Sequence, residues 1–201
     1  MSAVGPQFVF GYGSLTARPG RFPTRVLKDH GFVADVAGLH RIWGVAMDNR
    51  RDLPGYKYYM CADGRRPEVF VAYLDLVPEN TVPTHPAHTG EPAAGVNGVC
   101  LPVDDAVLEQ LDGRERNYER TDISDRIEAG GAQVWAYIGT AEARARLAEG
   151  RRTGTAVIDA GYVATVEAGF AALGDGELAT VRASLEPGDL PVLQLTRREL
   201  A

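Results

Sequence analysis

Phe8-Val9-Phe10-Gly11-Tyr12-Gly13-Ser14-Leu15 decides the reading of this chain. Phe8 to Phe10 is apolar and β-favouring and reads as a buried strand, which breaks at once into two glycines set one residue apart. Glycine tolerates φ > 0 and lets a second backbone or a ligand approach closely. A strand running into such a turn leaves backbone N–H groups exposed, the makings of an anion or oxyanion cradle. Three familiar turns do not fit. A dinucleotide fingerprint needs glycine where Thr16 stands, and a phosphate loop needs a Gly-Lys-Ser/Thr run that does not follow Gly11. A nucleophile elbow around Ser14 needs glycines where Tyr12 and Thr16 stand. The bland alternative is a tight turn leaving a core strand.

The rest of the chain bounds the partners. With 201 residues and 45% hydrophobic content it can bury a sizeable core. A net charge of −6, with basic pairs scattered rather than clustered, argues against nucleic acid. Cys61 and Cys100 read as reduced thiols in strands, not as a disulfide framework or a metal quartet. His85 and His88 sit in a Pro-containing stretch without Cys or acidic companions, so no metal is expected, and no cofactor motif occurs. No signal peptide and no membrane-length apolar stretch is seen, so a soluble cytoplasmic protein that does not engage membranes is expected.

Outward from the glycine loop, Thr16–Pro23 reads as a surface loop, and strands are expected at Phe32–Ala37, Leu39–Met47 and Val96–Val103. Tyr56–Cys61 and Glu68–Leu76 read as a hairpin around Ala62-Asp63-Gly64. Val77–Gly95 reads as a long binding or lid loop. Asp104 or Asp105 caps a helix through Asp112; strands follow at Thr121–Ala129 and Gln133–Ile138. Helices are expected at Ala141–Glu149, Gly161–Leu173 and Glu177–Leu185, and Pro191–Arg198 docks as an extended tail. Strands with helices gathered late predict one α+β domain over residues 1–201, built on a mixed, largely antiparallel, barrel-like sheet flanked by helices.

The chemistry lies in Leu108-Glu109-Gln110-Leu111-Asp112-Gly113-Arg114-Glu115. Leu108, Leu111 and Glu115 stand at i, i+3 and i+7. If the helix runs on past Gly113, Glu115 continues the apolar stripe and is desolvated, the condition that suits a carboxylate to general acid–base work near neutrality. If Gly113 ends the helix, Glu115 sits just beyond it in a turn. Arg114 and Arg116 project to either side on a helix and need not pair with it.

Taken together, the Phe-Gly-Tyr-Gly-Ser-Leu loop and the later Leu-Asp-x-x-Glu-x-x-Tyr resemble the γ-glutamyl cyclotransferase superfamily. The resemblance covers roughly residues 8–173, with a C-terminal helix and tail over 174–201. It implies a loop, Gly11, Tyr12, Gly13, Ser14 and Leu15, that lines a γ-glutamyl pocket, and Glu115 as the catalytic acid/base. Tyr137, in Val134-Trp135-Ala136-Tyr137, is similar to a substrate-contacting tyrosine of a late strand, and Tyr118 matches the second motif's tyrosine. The implied reaction releases 5-oxoproline and a free amine from a small γ-glutamyl compound, without cofactor. The competing readings are a γ-glutamyl amidase that uses water and a non-catalytic γ-glutamyl-binding module. No Cys–His or Ser–His pair is recognisable, and the leaving amine is left open: an amino acid, the Cys-Gly of glutathione, an ε-lysyl isopeptide or a biosynthetic intermediate.

Overall fold

The computed structural model describes residues 5–17, 31–81 and 95–200. In chain order the strands and helices are β1 (Gln7–Gly11), β2 (Phe32–Val36), β3 (Leu39–Asp48), β4 (Lys57–Met60), β5 (Phe70–Pro78), β6 (Val96–Val103), α1 (Asp105–Arg114), β7 (Tyr118–Asp122) and β8 (Gln133–Gly139), followed by α2 (Ala141–Thr153), β9 (Ala156–Asp159), α3 (Ala160–Ala171), α4 (Asp175–Ser184), β10 (Val192–Leu193) and β11 (Thr196–Glu199).

β1 is the central strand of a sheet ordered β2-β6-β1-β8-β7. It runs antiparallel to β6, with Phe10 opposite Cys100, and parallel to β8, with Val9 opposite Trp135. A second sheet runs β10-β9-β5-β3, and β11 pairs with β4 alone. Phe10, Val134 and Ala136 from the first sheet share one core with Trp43, Leu74 and Ile158 from the second. Val166 and Phe170 of α3 and Val181 of α4 pack into the same core. This is the mixed, largely antiparallel α+β arrangement expected, with helices flanking the sheets. The strands divide between sheets that share a core, and no closed ring of strands forms among the described residues. No helix among the described residues is long and apolar enough to cross a membrane.

The expected hairpin does not form. Its turn is present, since the Cys61 N–H donates to the Arg65 carbonyl at 2.8 Å, yet β4 and β5 do not pair. The cause is the fully buried Asn49. Its side chain accepts from the Tyr59 N–H at 2.7 Å and donates to the Tyr59 and Pro67 carbonyls at 3.0 and 2.9 Å. One edge of β4 is thereby taken by Asn49 and the other by β11, with Tyr59 opposite Arg197. Pro67 also lacks the N–H a ladder would use. Cys61 falls just past β4, whereas Cys100 is buried in β6, where desolvation pushes its thiol up to about 12.

The strand expected at 121–129 instead begins at Tyr118 and stops at Asp122, whose carboxylate accepts from the Ser124 N–H at 2.9 Å and turns the chain. Of the expected loop over 77–95, Val77 and Pro78 complete β5 and Glu79–Thr81 form a 3-10 turn. His30, His85, His88 and most of the loop expected at 16–23 lie outside the described residues.

β5 is buried from Phe70 to Val77, which explains its apolar composition, and Asp75 alone interrupts the run, with no side-chain exposure. Its Oδ1 accepts from the N–H groups of Leu76 (2.8 Å) and Gly139 (2.7 Å), and its Oδ2 from Arg144 Nε (2.8 Å). Space for this carboxylate exists because two neighbours lack side chains. A Cβ on Gly44, at the bulge in β3, would lie 2.5 Å from Asp75 Cβ, and one on Gly139 would lie 2.6 Å from Asp75 Oδ2. Asp75 thus ties the second sheet to β8 of the first and to α2, fixing the sheets that frame the site.

Candidate active site

Asp104 caps α1 by accepting from the Val107 N–H at 2.8 Å, and Val107, Leu108 and Leu111 bury its inner face. The helix runs through Gly113 and ends at Arg114; Glu115 is the cap residue, at φ −87° and ψ 50°, with its N–H on the Leu111 carbonyl. Neither sequence reading was complete. Gly113 does not stop the helix, and Glu115 is not on its stripe but in the turn to β7. Its side chain is 21% exposed. The flanking arginine does pair with it: Arg114 donates to Oε1 through Nε and Nη2, at 3.0 and 2.8 Å. Among the described residues Oε2 accepts no hydrogen bond.

Tyr12, Gly13, Ser14 and Leu15 line a cavity of about 660 Å³ together with Glu115, Tyr118 and Tyr137. Gly11 lies behind it; a Cβ there would stand 3.2 Å from Leu15 Cβ. Neither Gly11 nor Gly13 has a positive φ, so the glycines are there for close approach rather than for an unusual backbone. At Gly13 the close neighbour is the Tyr162 phenol, 3.1 Å from where a Cβ would lie. The loop is closed by the Thr16 N–H and hydroxyl, both on the Gly13 carbonyl at 3.1 and 2.7 Å. Among the described residues the N–H groups of Gly13, Ser14 and Leu15 have no acceptor, as a cradle requires.

The tyrosines hold the frame. Tyr12 donates to the Tyr137 carbonyl at 2.5 Å. Tyr137 lines the cavity with its ring, but its hydroxyl donates to Asp112 at 2.7 Å. Tyr118 donates to the Leu74 carbonyl at 2.8 Å. Burial pushes the phenols of Tyr12, Tyr118, Tyr137 and Tyr162 well above their ordinary value, and that of Tyr56 up to about 12. All stay protonated near neutrality, so none is a base there. No histidine or cysteine among the described residues lines the cavity, which leaves Ser14 without a partner of the hydrolase kind.

Sequence reading missed the far wall. Asp159 caps α3, accepting from the N–H groups of Gly161 and Tyr162 at 3.2 and 3.1 Å, and also from that of Leu195 at 3.3 Å. Desolvation raises its carboxyl above the ordinary value. An Asp two residues before the expected helix start at Gly161 was the available signal. Lys57, Arg197 and Glu199, on β4 and β11, also line the cavity, and nothing local in the sequence announces that pairing.

No protein-family model matches the sequence, and no curated protein matches it. Among solved structures the chain is similar to YkqA from Bacillus subtilis, with TM-score 0.54 and 16% identity over 93% of this chain and 56% of that one. It therefore spans little more than half of YkqA. It is similar to the uncharacterized protein loc79017 from Homo sapiens, with TM-score 0.52 and 13% identity over 90% of this chain and 88% of that one. A γ-glutamyl cyclotransferase specific to glutathione, from yeast, is matched at TM-score 0.44 and 16% identity over 68% of this chain and 69% of that one. The chain has the fold of YkqA and loc79017, a mixed α+β fold.

Proposed function

We propose that this protein cyclises a γ-glutamyl compound, releasing 5-oxoproline and a free amine, with Glu115 as the acid/base. The observation that carries the reading is the meeting in one cavity of Glu115 and the N–H groups of Gly13–Leu15, with Glu115 Oε2 and those N–H groups unpartnered among the described residues.

A γ-glutamyl compound brings its own nucleophile, the α-amine. Holding it against the γ-carbonyl can contribute ~7–11 kcal/mol toward ring closure. Glu115 Oε2 takes a proton from the α-ammonium. The amine nitrogen then bonds to the γ-carbon, and the carbonyl oxygen becomes an oxyanion at the loop N–H groups, each such donor being worth about 3–4 kcal/mol. As the intermediate collapses, Glu115 gives its proton to the leaving nitrogen and the bond from that nitrogen to the γ-carbon breaks; the freed Glu115 carboxylate then takes the second proton from the ring nitrogen, leaving neutral 5-oxoproline, and passes it to the departing amine, which leaves as an ammonium. No side-chain nucleophile is used, in keeping with a cavity that no histidine lines among the described residues.

The test is release of 5-oxoproline from a panel of γ-glutamyl compounds, repeated with the α-amine of an accepted substrate acetylated. Acetylation delocalises the nitrogen lone pair and leaves the γ-amide intact. The acetylated compound is expected to inhibit the parent reaction and to release no amine. Steady release of amine with N-acetylglutamate would reject cyclisation in favour of an amidase.

A further inference from the structure

Glu115 stands at the cap of α1, past the last helical residue, so the helix itself does not hold its carboxylate in place. Its orientation has to come from hydrogen bonds, and the phenols around it do not supply them. Tyr12, Tyr118 and Tyr137 donate elsewhere, to the Tyr137 carbonyl, the Leu74 carbonyl and Asp112. Burial first, and the Glu115 charge besides, raise the phenols of Tyr56 and Tyr162, yet among the described residues neither donates to the carboxylate. Arg114 is its one hydrogen-bond donor among the described residues.

Arg114 uses its donors unevenly. A guanidinium fork ordinarily meets a carboxylate in two parallel hydrogen bonds, one to each oxygen. Here Nε and Nη2 converge on Oε1, at 3.0 and 2.8 Å, and Oε2 is left without a donor among the described residues. As an ion pair this does little for the fold, because both side chains are partly exposed and pairs open to water contribute weakly. A basic residue in the last turn also suits the helix dipole, but that asks for charge and not for a fork. What the convergence does is make the two oxygens unequal. Oε1 already faces two N–H hydrogens, and the guanidinium keeps its protons throughout, so a proton carried by Glu115 sits on Oε2.

We propose that Arg114 is a positioning residue for the acid/base: it anchors Oε1 and so holds Oε2 in place as the oxygen that takes and returns the proton. This rests on the reading of Glu115 given above. Arg114 itself exchanges no proton and acts only through the carboxylate. Without the fork, Glu115 turns about its side-chain bonds, and the reacting oxygen is no longer kept where the α-ammonium arrives.

Arg114→Met keeps a long apolar stem and removes the donors. Release of 5-oxoproline is measured for wild type and variant in light and heavy water, on whichever compound of the γ-glutamyl panel the wild type turns over fastest. kcat is expected to fall about 10- to 100-fold, since misplacing a reacting group by about 1 Å can lose 10²-fold. KM is expected to stay within about 2-fold, because no substrate contact is removed. The solvent isotope effect on kcat is expected to grow, as proton transfer at an unanchored carboxylate becomes the slow step. Damage confined to the helix end would lower only the amount of active enzyme and leave the isotope effect as in the wild type. An unchanged kcat, a KM that rises with kcat intact, or an isotope effect that stays put overturns the proposal. Should Arg114→Met not fold, Arg114→Lys, which keeps the charge without the fork, is read by the same three measures. If the wild type releases no 5-oxoproline from any compound of the panel, cyclisation falls, and a crystal structure of the folded variant decides the anchoring alone. A Glu115 carboxylate displaced from its place upholds it; one that has not moved overturns it.

Discussion

Tyr12 and Tyr137 join the two halves of the site. The Tyr12 phenol, on the glycine loop, donates to the Tyr137 carbonyl at 2.5 Å, and the Tyr137 hydroxyl donates at 2.7 Å to Asp112, three residues before Glu115. The loop and the helix end are therefore positioned through one strand, β8. Tyr137 resembles a substrate contact in sequence, but its hydroxyl is already engaged.

Tyr137→Phe separates the two roles. Losing the bond to Asp112 is expected to lower stability by about 1 kcal/mol. kcat should fall while KM changes little, because the helix end that carries Glu115 is less well placed. Denaturant melts and steady-state kinetics check this. A raised KM with stability untouched would make the hydroxyl a substrate contact after all.

Glu115→Gln is expected to abolish turnover and keep the fold. The amide fills the same space and still accepts from Arg114, but cannot take a proton. Loss of the general base should lower kcat by ~10²–10⁴-fold. Near-normal activity in a variant with native circular dichroism would move the acid/base role elsewhere.

Gly13→Val is expected to be inactive. Its φ is ordinary, so the reason is space: the first added carbon lies 3.1 Å from the Tyr162 hydroxyl, and the branches go further. Ser14→Ala should be much milder than Glu115→Gln, since Ser14 is a positioning group and no histidine stands beside it among the described residues. A Ser14→Ala protein less active than Glu115→Gln would reopen the serine nucleophile.

Gly139→Ala tests the niche around Asp75. The new methyl would lie 2.6 Å from Asp75 Oδ2 and closer still to Val45. Overpacking of this kind typically costs about 1–3 kcal/mol. Chemical denaturation measures it, and a variant as stable as the wild type would mean that the sheets can shift apart freely at this point.

Much of this arrangement was legible in the sequence because it is local or periodic. β1, β6 and the late helices announce themselves by apolar runs, Gly and capping Asp residues. The hairpin reading failed because Asp63-Gly64 specifies a turn and not what its arms pair with. Asn49 and the distant β11 decided that. β7 was misplaced because Tyr118-Glu119-Arg120-Thr121-Asp122 is mostly exposed and carries no hydrophobic signal. Asp75 went unnoticed inside an apolar run, since its partners, Gly139 and Arg144, come from other elements. The Glu115 motif was legible as chemistry, but its pairing with Arg114 depends on a helix ending one residue before it.

Asp159→Asn gives a pH signature. Burial raises the Asp159 carboxyl, so the folded protein holds that proton more tightly than the unfolded chain does. For an acid shifted in this direction, the stabilising contribution is present below the unfolded value, about 3.9, and is lost as pH rises through the folded one. The charge therefore weakens the fold at neutral pH. Asparagine still caps α3 and carries no charge. The Tm of the variant relative to wild type should rise between about pH 3 and pH 7. A flat or falling difference would show that the capping hydrogen bonds outweigh desolvation.

The position of β1 bears on how the protein reaches its working state. The strand that presents the loop hydrogen-bonds to residues 99–103 on one side and 133–135 on the other, all distant in the chain. Closing such long loops before any contact rewards them is slow, and sheets dominated by remote pairings form in milliseconds to seconds rather than microseconds. The loop and Glu115 come together only when that closure is complete. On refolding from denaturant, helical signal should therefore return first, and the recovery of catalysis should track the slowest structural phase.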